Sequence, residues 1–218
     1  MNRFISNYKQ GLLVLIFLIS LSPASQAAYL FDFGMHFGGD VIDSFTLSNQ
    51  NGDKRYGEVK AGSGFKLSLG LLIPYDSDQR LSASILLGYK THSASAINGK
   101  MGFSSYPIEV LQNINLHNKL RLGLGAIYYL QPMFVCEITA GCDYSLRMRE
   151  NLGFVMQLDL ISPLKEDSPN KQRASMGVRF YKANFKLQSG IFDGVAQPIN
   201  QDITLNGDNF SIFIGIQF

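Results

Sequence analysis

The chain has 218 residues, and its 19 Lys and Arg nearly balance its 17 Asp and Glu. That balance gives no reason to expect nucleic-acid binding. Glycine is abundant (21 residues), tryptophan is absent and the aromatic side chains are Phe and Tyr. This composition, with few helix-forming runs, indicates an all-β fold.

The first 27 residues are typical of a secretory signal peptide. Arg3 and Lys9 precede an apolar stretch over residues 12–21, and small residues follow ahead of the cut. The alternative is a retained membrane anchor, but a helix needs about 20 apolar residues to cross a bilayer. We therefore expect residues 1–27 to be removed, leaving one domain over 28–218 with 17 basic and 17 acidic residues.

Eight segments of the mature chain alternate between apolar and smaller or polar residues. This alternation predicts β-strands, because successive side chains on a strand point to opposite faces. The length of the segments suits tilted membrane-spanning strands better than soluble strands, which average ~5–6 residues. The segments are residues 29–38, 58–73, 80–91, 104–116, 119–130, 151–162, 173–184 and 208–218.

The connections between these segments alternate in length. Short turns at one end and long loops at the other are typical of outer-membrane barrels, and an even strand count brings both termini to the periplasmic side. We expect an eight-stranded antiparallel transmembrane β-barrel with an up-and-down meander, or ten strands if a long loop hides a hairpin. The short connections are 74–79, 117–118 and 163–172, and the long ones are 39–57, 92–103, 131–150 and 185–207.

A soluble eight-stranded barrel is the alternative fold, with its apolar row inside and its polar row in water. The many glycines of the polar row favour the membrane barrel, because small residues suit the crowded interior of a narrow barrel. The opposite row is dominated by Leu, Ile, Phe and Val, which suits contact with lipid.

The predicted inward row carries charged side chains. They must be paired, because the closed interior of eight strands has room for side chains but little for water. We expect a plug of salt bridges in which Glu109 and Asp159 pair with Arg121, Lys66 or Arg179, and the alternative is a narrow polar path for ions. The row comprises Asp32, His36, Lys60, Lys66, Lys90, Glu109, Arg121, Asp159 and Arg179.

Cys136 and Cys142 are the two cysteines of the chain and lie six residues apart in a long connection. In an oxidising compartment such a pair predicts a structural disulfide. A metal site is less favoured because no histidine is near in sequence, and a redox-active pair would more typically be Cys-x-x-Cys. We expect neither a metal nor a cofactor.

A hydrolase of the serine type would need a histidine as its catalytic base, and the histidines of this chain are His36, His92 and His117. A serine nucleophile needs a base within hydrogen-bond reach and an orienting carboxylate, and His92 with Ser93 is the sole His/Ser cluster. Lipid A deacylases among small outer-membrane barrels carry a His-x-Ser-Asn motif on a late strand, and the late strands here hold no histidine. We expect no enzymatic activity, and a lipid A-modifying hydrolase is the least favoured alternative.

Four basic residues are expected near the outer rim of the barrel. Arginine and lysine bind phosphate groups well, and lipopolysaccharide is rich in phosphate. These residues are therefore candidate lipopolysaccharide contacts, with an ordinary solvated rim as the alternative. They are Arg147, Arg149, Lys182 and Lys186.

The last nine residues form one predicted strand with an unbroken apolar row. Such a row with an aromatic last residue resembles the C-terminal signal that the barrel assembly machinery recognises in bacterial outer-membrane barrels. The row consists of Phe210, Ile212, Ile214, Ile216 and Phe218.

With this strand, the signal peptide and the eight predicted strands, the chain resembles the small outer-membrane β-barrel family of OmpA-, OmpX- and OmpW-like barrels. Residues 106–111 and 177–181 carry the same likeness. The resemblance implies a monomer in the cell outer membrane, in contact with lipid, lipopolysaccharide and the barrel assembly machinery. Members of such a family differ in function. We expect a structural or surface-interaction role, and an OmpW-like conduit for small hydrophobic molecules is the alternative.

Overall fold

The structure is a computed structural model that describes residues 27–48, 54–76, 80–139, 142–163, 172–192, 194–199 and 202–218. Residues 1–26 of the predicted signal peptide lie outside these ranges. Within them, no helix is long and apolar enough to cross a membrane.

The described residues form fourteen strands, eight in the wall of a barrel and six in its long connections. They are β1 (Ala28–Gly38), β2 (Val41–Ser48), β3 (Lys54–Lys60), β4 (Gly64–Pro74), β5 (Leu81–Ala96), β6 (Gly99–His117), β7 (Leu120–Ile138), β8 (Cys142–Met148), β9 (Asn151–Pro163), β10 (Arg173–Lys182), β11 (Asn184–Phe192), β12 (Val195–Pro198), β13 (Thr204–Asn206) and β14 (Asn209–Gln217).

The barrel is closed by antiparallel pairing of eight strands, each beside its predecessor in the wall. The ring closes between the first and last of them, because β1 pairs with β14 from Leu30↔Gln217 to Gly38↔Asn209. This confirms the predicted eight-stranded, up-and-down antiparallel barrel. The order around the wall is β1, β4, β5, β6, β7, β9, β10 and β14. We call the end that holds Ala28 and Phe218 the terminal end, and the opposite end the loop end.

Side chains that point out of the wall form an apolar belt around the barrel. Leu69, at the middle of β4, is 61% exposed although it lies in a long regular strand. The polar residue Gln112 also points outward, and its amide donates to the carbonyl oxygens of Ser82 and Asn113 at 3.2 Å each. The belt includes the whole C-terminal apolar row, Phe210, Ile212, Ile214, Ile216 and Phe218, whose members are 44–53% exposed.

The opposite side chains of the wall strands point into a narrow interior. A Cβ atom added to Gly125 of β7 would lie 1.9 Å from the carbonyl oxygen of Val110 on β6, so only glycine fits there. The middle of this interior is polar, and its buried polar and charged residues include Asp32, Lys66, Ser68, Ser84, Lys90, Glu109, Asn113, Arg121, Gln157, Asp159, Arg179 and Ser211.

Three of the long connections are hairpins that extend the wall beyond the barrel. They form a sheet at the loop end in the order β5, β6, β7, β8, β11 and β12, with β13 also paired to β11. The predicted long connections over 92–103, 131–150 and 185–207 are therefore present, but as hairpins that leave the wall at eight strands. The strands continue because the inward row stays apolar, as with buried Met101 and Phe103 on β6.

The fourth long connection, the β2–β3 hairpin, folds across the interior instead of extending the wall. Its two strands pair with each other, and Val59 of β3 is fully buried with Ala61 against the other hairpins. The chain crosses itself at the base of the hairpin, where Gly39 has a φ of +80°. A Cβ atom on Gly39 would lie 2.2 Å from the amide nitrogen of Gly62, so the crossing requires glycine.

The predicted strand over 58–73 is two strands, β3 and β4. Gly64 has a φ of +118° and interrupts the extended backbone between them. As a result the apolar row changes sides: Val59 is buried at the loop end, whereas Phe65 and Leu67 are 50% and 46% exposed on the belt. A period of two in the sequence does not reveal such a break.

An apolar core fills the loop end of the barrel. The ring of Phe185 on β11 lies 5.5 Å from that of Phe103 and 5.0 Å from that of Tyr129. Both contacts have the edge-to-face geometry that aromatic rings favour. The core draws on all four long connections, and its fully or almost fully buried members include Val59, Ala61, Met101, Phe103, Phe134, Cys136, Met148 and Phe185.

The predicted disulfide is confirmed. Cys136 of β7 and Cys142 of β8 are bonded across their hairpin, with their Cα atoms 5.7 Å apart. Cys136 is fully buried in the loop-end core. The bond therefore links β7 to β8 beside this core and restricts the unfolded chain, an effect of about 2 kcal/mol for so short a loop in the chain-entropy model.

Candidate functional site

The inward charges of the barrel meet at its centre. Glu109 of β6 lies between two cations: Nζ of Lys66 on β4 donates to its Oε1, and Nη1 of Arg179 on β10 lies 3.5 Å from its Oε2. Nη2 of Arg179 in turn lies 2.8 Å from Oδ2 of Asp32 on β1. All four residues are 1–3% exposed. They connect four strands across the interior, and we call them, with Tyr181, the central cluster.

Tyr181 of β10 completes this cluster. Its hydroxyl oxygen accepts from Nζ of Lys66 at 3.0 Å, and its hydroxyl donates to Oε1 of Glu109 at 3.2 Å. Tyr181 is uncharged and therefore does not belong to the inward row of charges that the sequence predicts. Its position two residues after Arg179 was the available signal, since it places both side chains in one inward row.

A second ion pair lies directly across two neighbouring strands. Arg121 of β7 is in register with Asp159 of β9 and donates to it at 2.7 Å from Nη2 and 3.3 Å from Nε. Gln157, also missed by the sequence analysis, donates to Asp159 at 2.7 Å and accepts from Nε of Arg179 at 2.5 Å. The expected partners of Glu109 and Asp159 are thus brought together, and Gln157 joins the two sets.

Two further inward residues bind neutral partners nearer the loop end. Nζ of Lys90 on β5 donates to the carbonyl oxygen of Gly62 at 2.6 Å, beside the base of the β2–β3 hairpin. Nδ1 of His36 on β1 lies 2.8 Å from Oδ1 of Asn209 on β14. Both residues are 3% exposed or less.

Lys60 does not belong with these residues. It ends β3 in the folded-over hairpin, where its side chain is 39% exposed and lies 3.3 Å from Glu58. Its assignment to the interior followed from treating 58–73 as one strand. Within the described part of the chain, the buried charges of the barrel are therefore four cations and three carboxylates: Lys66, Lys90, Arg121, Arg179, Asp32, Glu109 and Asp159.

Little free space remains between these side chains. A cavity of about 20 Å³ lies on the terminal side of the central cluster, beside Asp32, Asn113 and Arg121. That volume is enough for roughly one water molecule. Above the cluster, the loop-end core is packed with aromatic and aliphatic side chains. The central cluster therefore occupies the middle of the described interior, and the loop-end core occupies its loop end.

The wall is equally closed over most of its circumference. From β7 through β9, β10, β14, β1 and β4 to β5, neighbouring strands pair without a skipped position. The described irregularities of the wall lie in the pairing of β6 with its two neighbours. Two are near Pro107, which has no N–H to donate, and the third is between Asn115 and His117 at the terminal end. There the rings of Tyr89 and Tyr106 pack on the outside with centres 5.4 Å apart.

The His/Ser cluster does not form a catalytic pair. His92 and Ser93 are adjacent on β5, so their side chains point to opposite faces, and Ser93 is exposed. Nδ1 of His92 faces the backbone of Lys60, 3.1 Å from its nitrogen and 3.4 Å from its oxygen. Burial lowers the pKa of His92, aided by the charges of Lys90 and Lys60 and opposed by the bond to the Lys60 backbone.

The β2–β3 hairpin has a second attachment to the loop-end sheet. The hydroxyl of Tyr144 on β8 donates to Oδ2 of Asp43 on β2. Burial raises the pKa of Tyr144, and the hydrogen bond and charge of Asp43 raise it further. Tyr144 therefore remains a neutral donor at physiological pH and holds the hairpin over the barrel.

The four candidate lipopolysaccharide residues lie on outward faces at the loop end, and all are exposed. Arg149 is brought next to Lys186, because its amide donates to the carbonyl oxygen of Lys186 at 2.8 Å. Arg147 lies two residues before Arg149, and Lys182 ends β10. Asp202 partly neutralises the group through a contact of 3.1 Å with Nζ of Lys186.

Comparison with known proteins gives no family for this chain. Protein-family models and curated proteins were searched, and none matches it. Among the described residues, no group of three or more His, Cys, Asp or Glu is placed to hold a metal ion. A function is therefore inferred from the chain's own residues.

The first prediction concerns the Arg121–Asp159 pair. Arg121→Ala leaves a buried carboxylate unpaired and should lower the free energy of unfolding by about 3–5 kcal/mol. The double variant Arg121→Met, Asp159→Leu removes both charges and should be roughly neutral. Equilibrium unfolding in urea in the presence of detergent micelles measures both.

Lys186→Ala is the matched control for this prediction, because its ion pair with Asp202 is half exposed. We expect it to cost less than about 1 kcal/mol. Equal losses for Arg121→Ala and the double variant would contradict this prediction, because the double variant leaves no unpaired carboxylate to account for its loss.

The second prediction concerns pH and the β2–β3 hairpin. Because the folded state lowers the pKa of His92, the unfolded hairpin binds the proton more readily. Stability is then lost as pH falls through the ordinary histidine pKa of about 6.5. Amide exchange over residues 54–60, corrected for intrinsic rates, should be faster at low pH, and His92→Gln should remove the difference. Equal protection of the wild type above and below this pKa would contradict the role given to His92.

Proposed function

We propose that this chain is an integral barrel of the cell outer membrane, with a structural or surface-interaction role and a non-conducting interior. The apolar belt is the observation that carries the proposal. Large apolar side chains stand 37–68% exposed on every strand of the wall. Soluble proteins rarely expose contiguous apolar patches larger than a few hundred Å², whereas membrane barrels combine such a belt with a polar interior.

The basic residues of the loop end support contact with lipopolysaccharide. Arg147, Arg149, Lys182 and Lys186 lie where the belt ends, beyond exposed apolar residues such as Phe180 of β10. Guanidinium and ammonium groups at that level suit the phosphate groups of a lipid surface. The extended hairpins above them would supply the contact surface for any partner outside the cell.

The alternative of a conduit for small hydrophobic molecules has less support. A conduit needs either a continuous interior passage or an opening between strands. The described interior has a cavity of about 20 Å³, and strand pairing is continuous around most of the wall. A lipid A-modifying hydrolase has less support still, since His92 and Ser93 face opposite sides of β5.

The third prediction tests membrane insertion through the belt. Leu69→Lys places a charge at the middle of the belt and should lower the folding stability of the barrel in lipid by about 2–4 kcal/mol. In a soluble barrel the same change at a residue 61% exposed would stay within about 0.5 kcal/mol. Urea titration in lipid vesicles, followed by heat-modifiable gel mobility, provides the measurement.

Ile97→Lys is the matched control, because Ile97 is 66% exposed at the β5–β6 turn, well beyond the belt. We expect it to behave as the wild type. If both lysine variants are harmless and the wild type does not co-sediment with outer membranes, the proposed location is wrong.

The fourth prediction concerns conduction. The refolded wild type should be silent in a planar bilayer, because paired charges and the loop-end core close the barrel in series. Glu109→Ala or Arg121→Ala alone should remain silent, since Phe185 and its neighbours still fill the loop end. Combining Glu109→Ala with Phe185→Ala opens both layers and should give intermittent current.

Phe180→Ala serves as the control for loss of an aromatic ring, because Phe180 lies on the belt rather than inside. It should leave the barrel silent. Steady current from the wild type would overturn the closed interior and favour the conduit.

A further inference from the structure

A groove of about 570 Å³ lies on the outside of the wall near the terminal end. It crosses β9, β10, β14 and β1, a width of roughly 14 Å at the usual spacing of paired strands. Its banks are large apolar side chains of the belt, with Phe31 and Phe33 on one side and Leu160 and Met176 on the other. The groove is separate from the polar interior, because pairing is continuous between these strands.

The groove exists because two small residues interrupt the belt. Ala174 of β10 is in register with Ser162 on β9 and with Ile216 on β14. Most other outward positions on β9, β10 and β14 carry the larger side chains of Leu, Met, Ile, Val or Phe. A recess lined by apolar side chains on a convex surface suits a flexible hydrocarbon chain, which gains dispersion contacts along its whole length.

Among the residues that the structure describes, one cation borders this groove. Lys119, exposed in the turn between β6 and β7, lines it together with the apolar residues. Its position beside β9 is fixed, because its carbonyl oxygen accepts from the amide of Ile161 at 2.9 Å. Lysine lays its aliphatic stem along apolar surface and presents its ammonium group beyond it. The site therefore combines an apolar recess with one positive charge at the end of the barrel.

We propose that this groove binds one acyl chain of an anionic phospholipid, whose phosphate pairs with Lys119. The proposal rests on the proposed membrane location. If the barrel spans the membrane, the terminal end lies at one lipid–water interface, which is where a headgroup phosphate would lie. The ammonium group of Lys119 suits a phosphate, and the apolar recess suits the chain attached to it.

The test uses the whole mature barrel in nanodiscs made of equal parts phosphatidylglycerol and phosphatidylcholine. Native mass spectrometry counts the lipids that stay bound on release. Ala174→Leu fills the recess, and Ala126→Leu is the matched control, because Ala126 points outward on β7 away from the groove. A chain kept out of the groove stays in lipid rather than water, so what it loses is its dispersion contacts with the recess. Ala174→Leu should therefore lower the retention of phospholipid below that of the wild type, with no change for Ala126→Leu.

Lys119→Gln tests the charge. It should abolish the preference for phosphatidylglycerol over phosphatidylcholine, whereas Lys100→Gln, at the β5–β6 hairpin, should preserve it. Equal retention of both lipids by the wild type would overturn the pairing with Lys119. Retention of a free fatty acid, recognised by its mass, would overturn a phospholipid as the ligand.

Folding and insertion are checked separately by heat-modifiable gel mobility. A wild type that does not enter nanodiscs would contradict the proposed membrane location. A wild type that inserts, but whose lipid retention matches that of Ala174→Leu, would overturn the groove alone. If Ala174→Leu does not fold, Ser162→Leu fills the same recess from the neighbouring strand and decides the matter in the same way.

Discussion

The mutual pairing of buried charges is the constraint on which the rest of this structure depends. Eight strands enclose an interior that side chains fill, so each charge there needs a protein partner. Glu109 sits between Lys66 and Arg179, and Arg179 also reaches Asp32. These contacts link strands that are not neighbours in the wall. A strand that slipped by one residue would move its charge to the belt, so the cluster fixes the register of the barrel.

The interior has two layers with different chemistry. The middle is polar and nearly without space, and the loop end is an apolar core built from all four long connections. Only the first connection enters the interior as a folded-over hairpin, held through Tyr144 and the backbone contact of His92. The other three connections extend the barrel wall around this hairpin at the loop end. Two layers therefore fill the barrel interior, so its closure does not depend on one constriction. The loop end has a packed core of its own.

The wall could be predicted from the sequence because a strand's period of two is a local property. The bounds of β1 and β14, to within one residue, and the number of wall strands followed from it, whereas the disulfide followed from the number and spacing of the cysteines. The sequence could not predict that the side chain of Lys60 lies outside the barrel interior. The apolar row changes sides between β3 and β4, and this change depends on the backbone conformation at Gly64. Tyr181 and Gln157 were missed because their roles depend on which strands face each other across the interior. The loop-end hairpins were missed because their apolar alternation is short and lies between polar residues.

Ring closure joins the two wall strands that are farthest apart in the chain. Until β14 pairs with β1 and β10, the sheet has two free edges, and such edges invite pairing with other chains. An open sheet can lose its edge strands one at a time, but a closed ring has no edge strand that could detach first. Contacts of such large sequence separation also make folding slow. The closed barrel should therefore form in a late, cooperative step of folding. Once closed, it should unfold as a single unit.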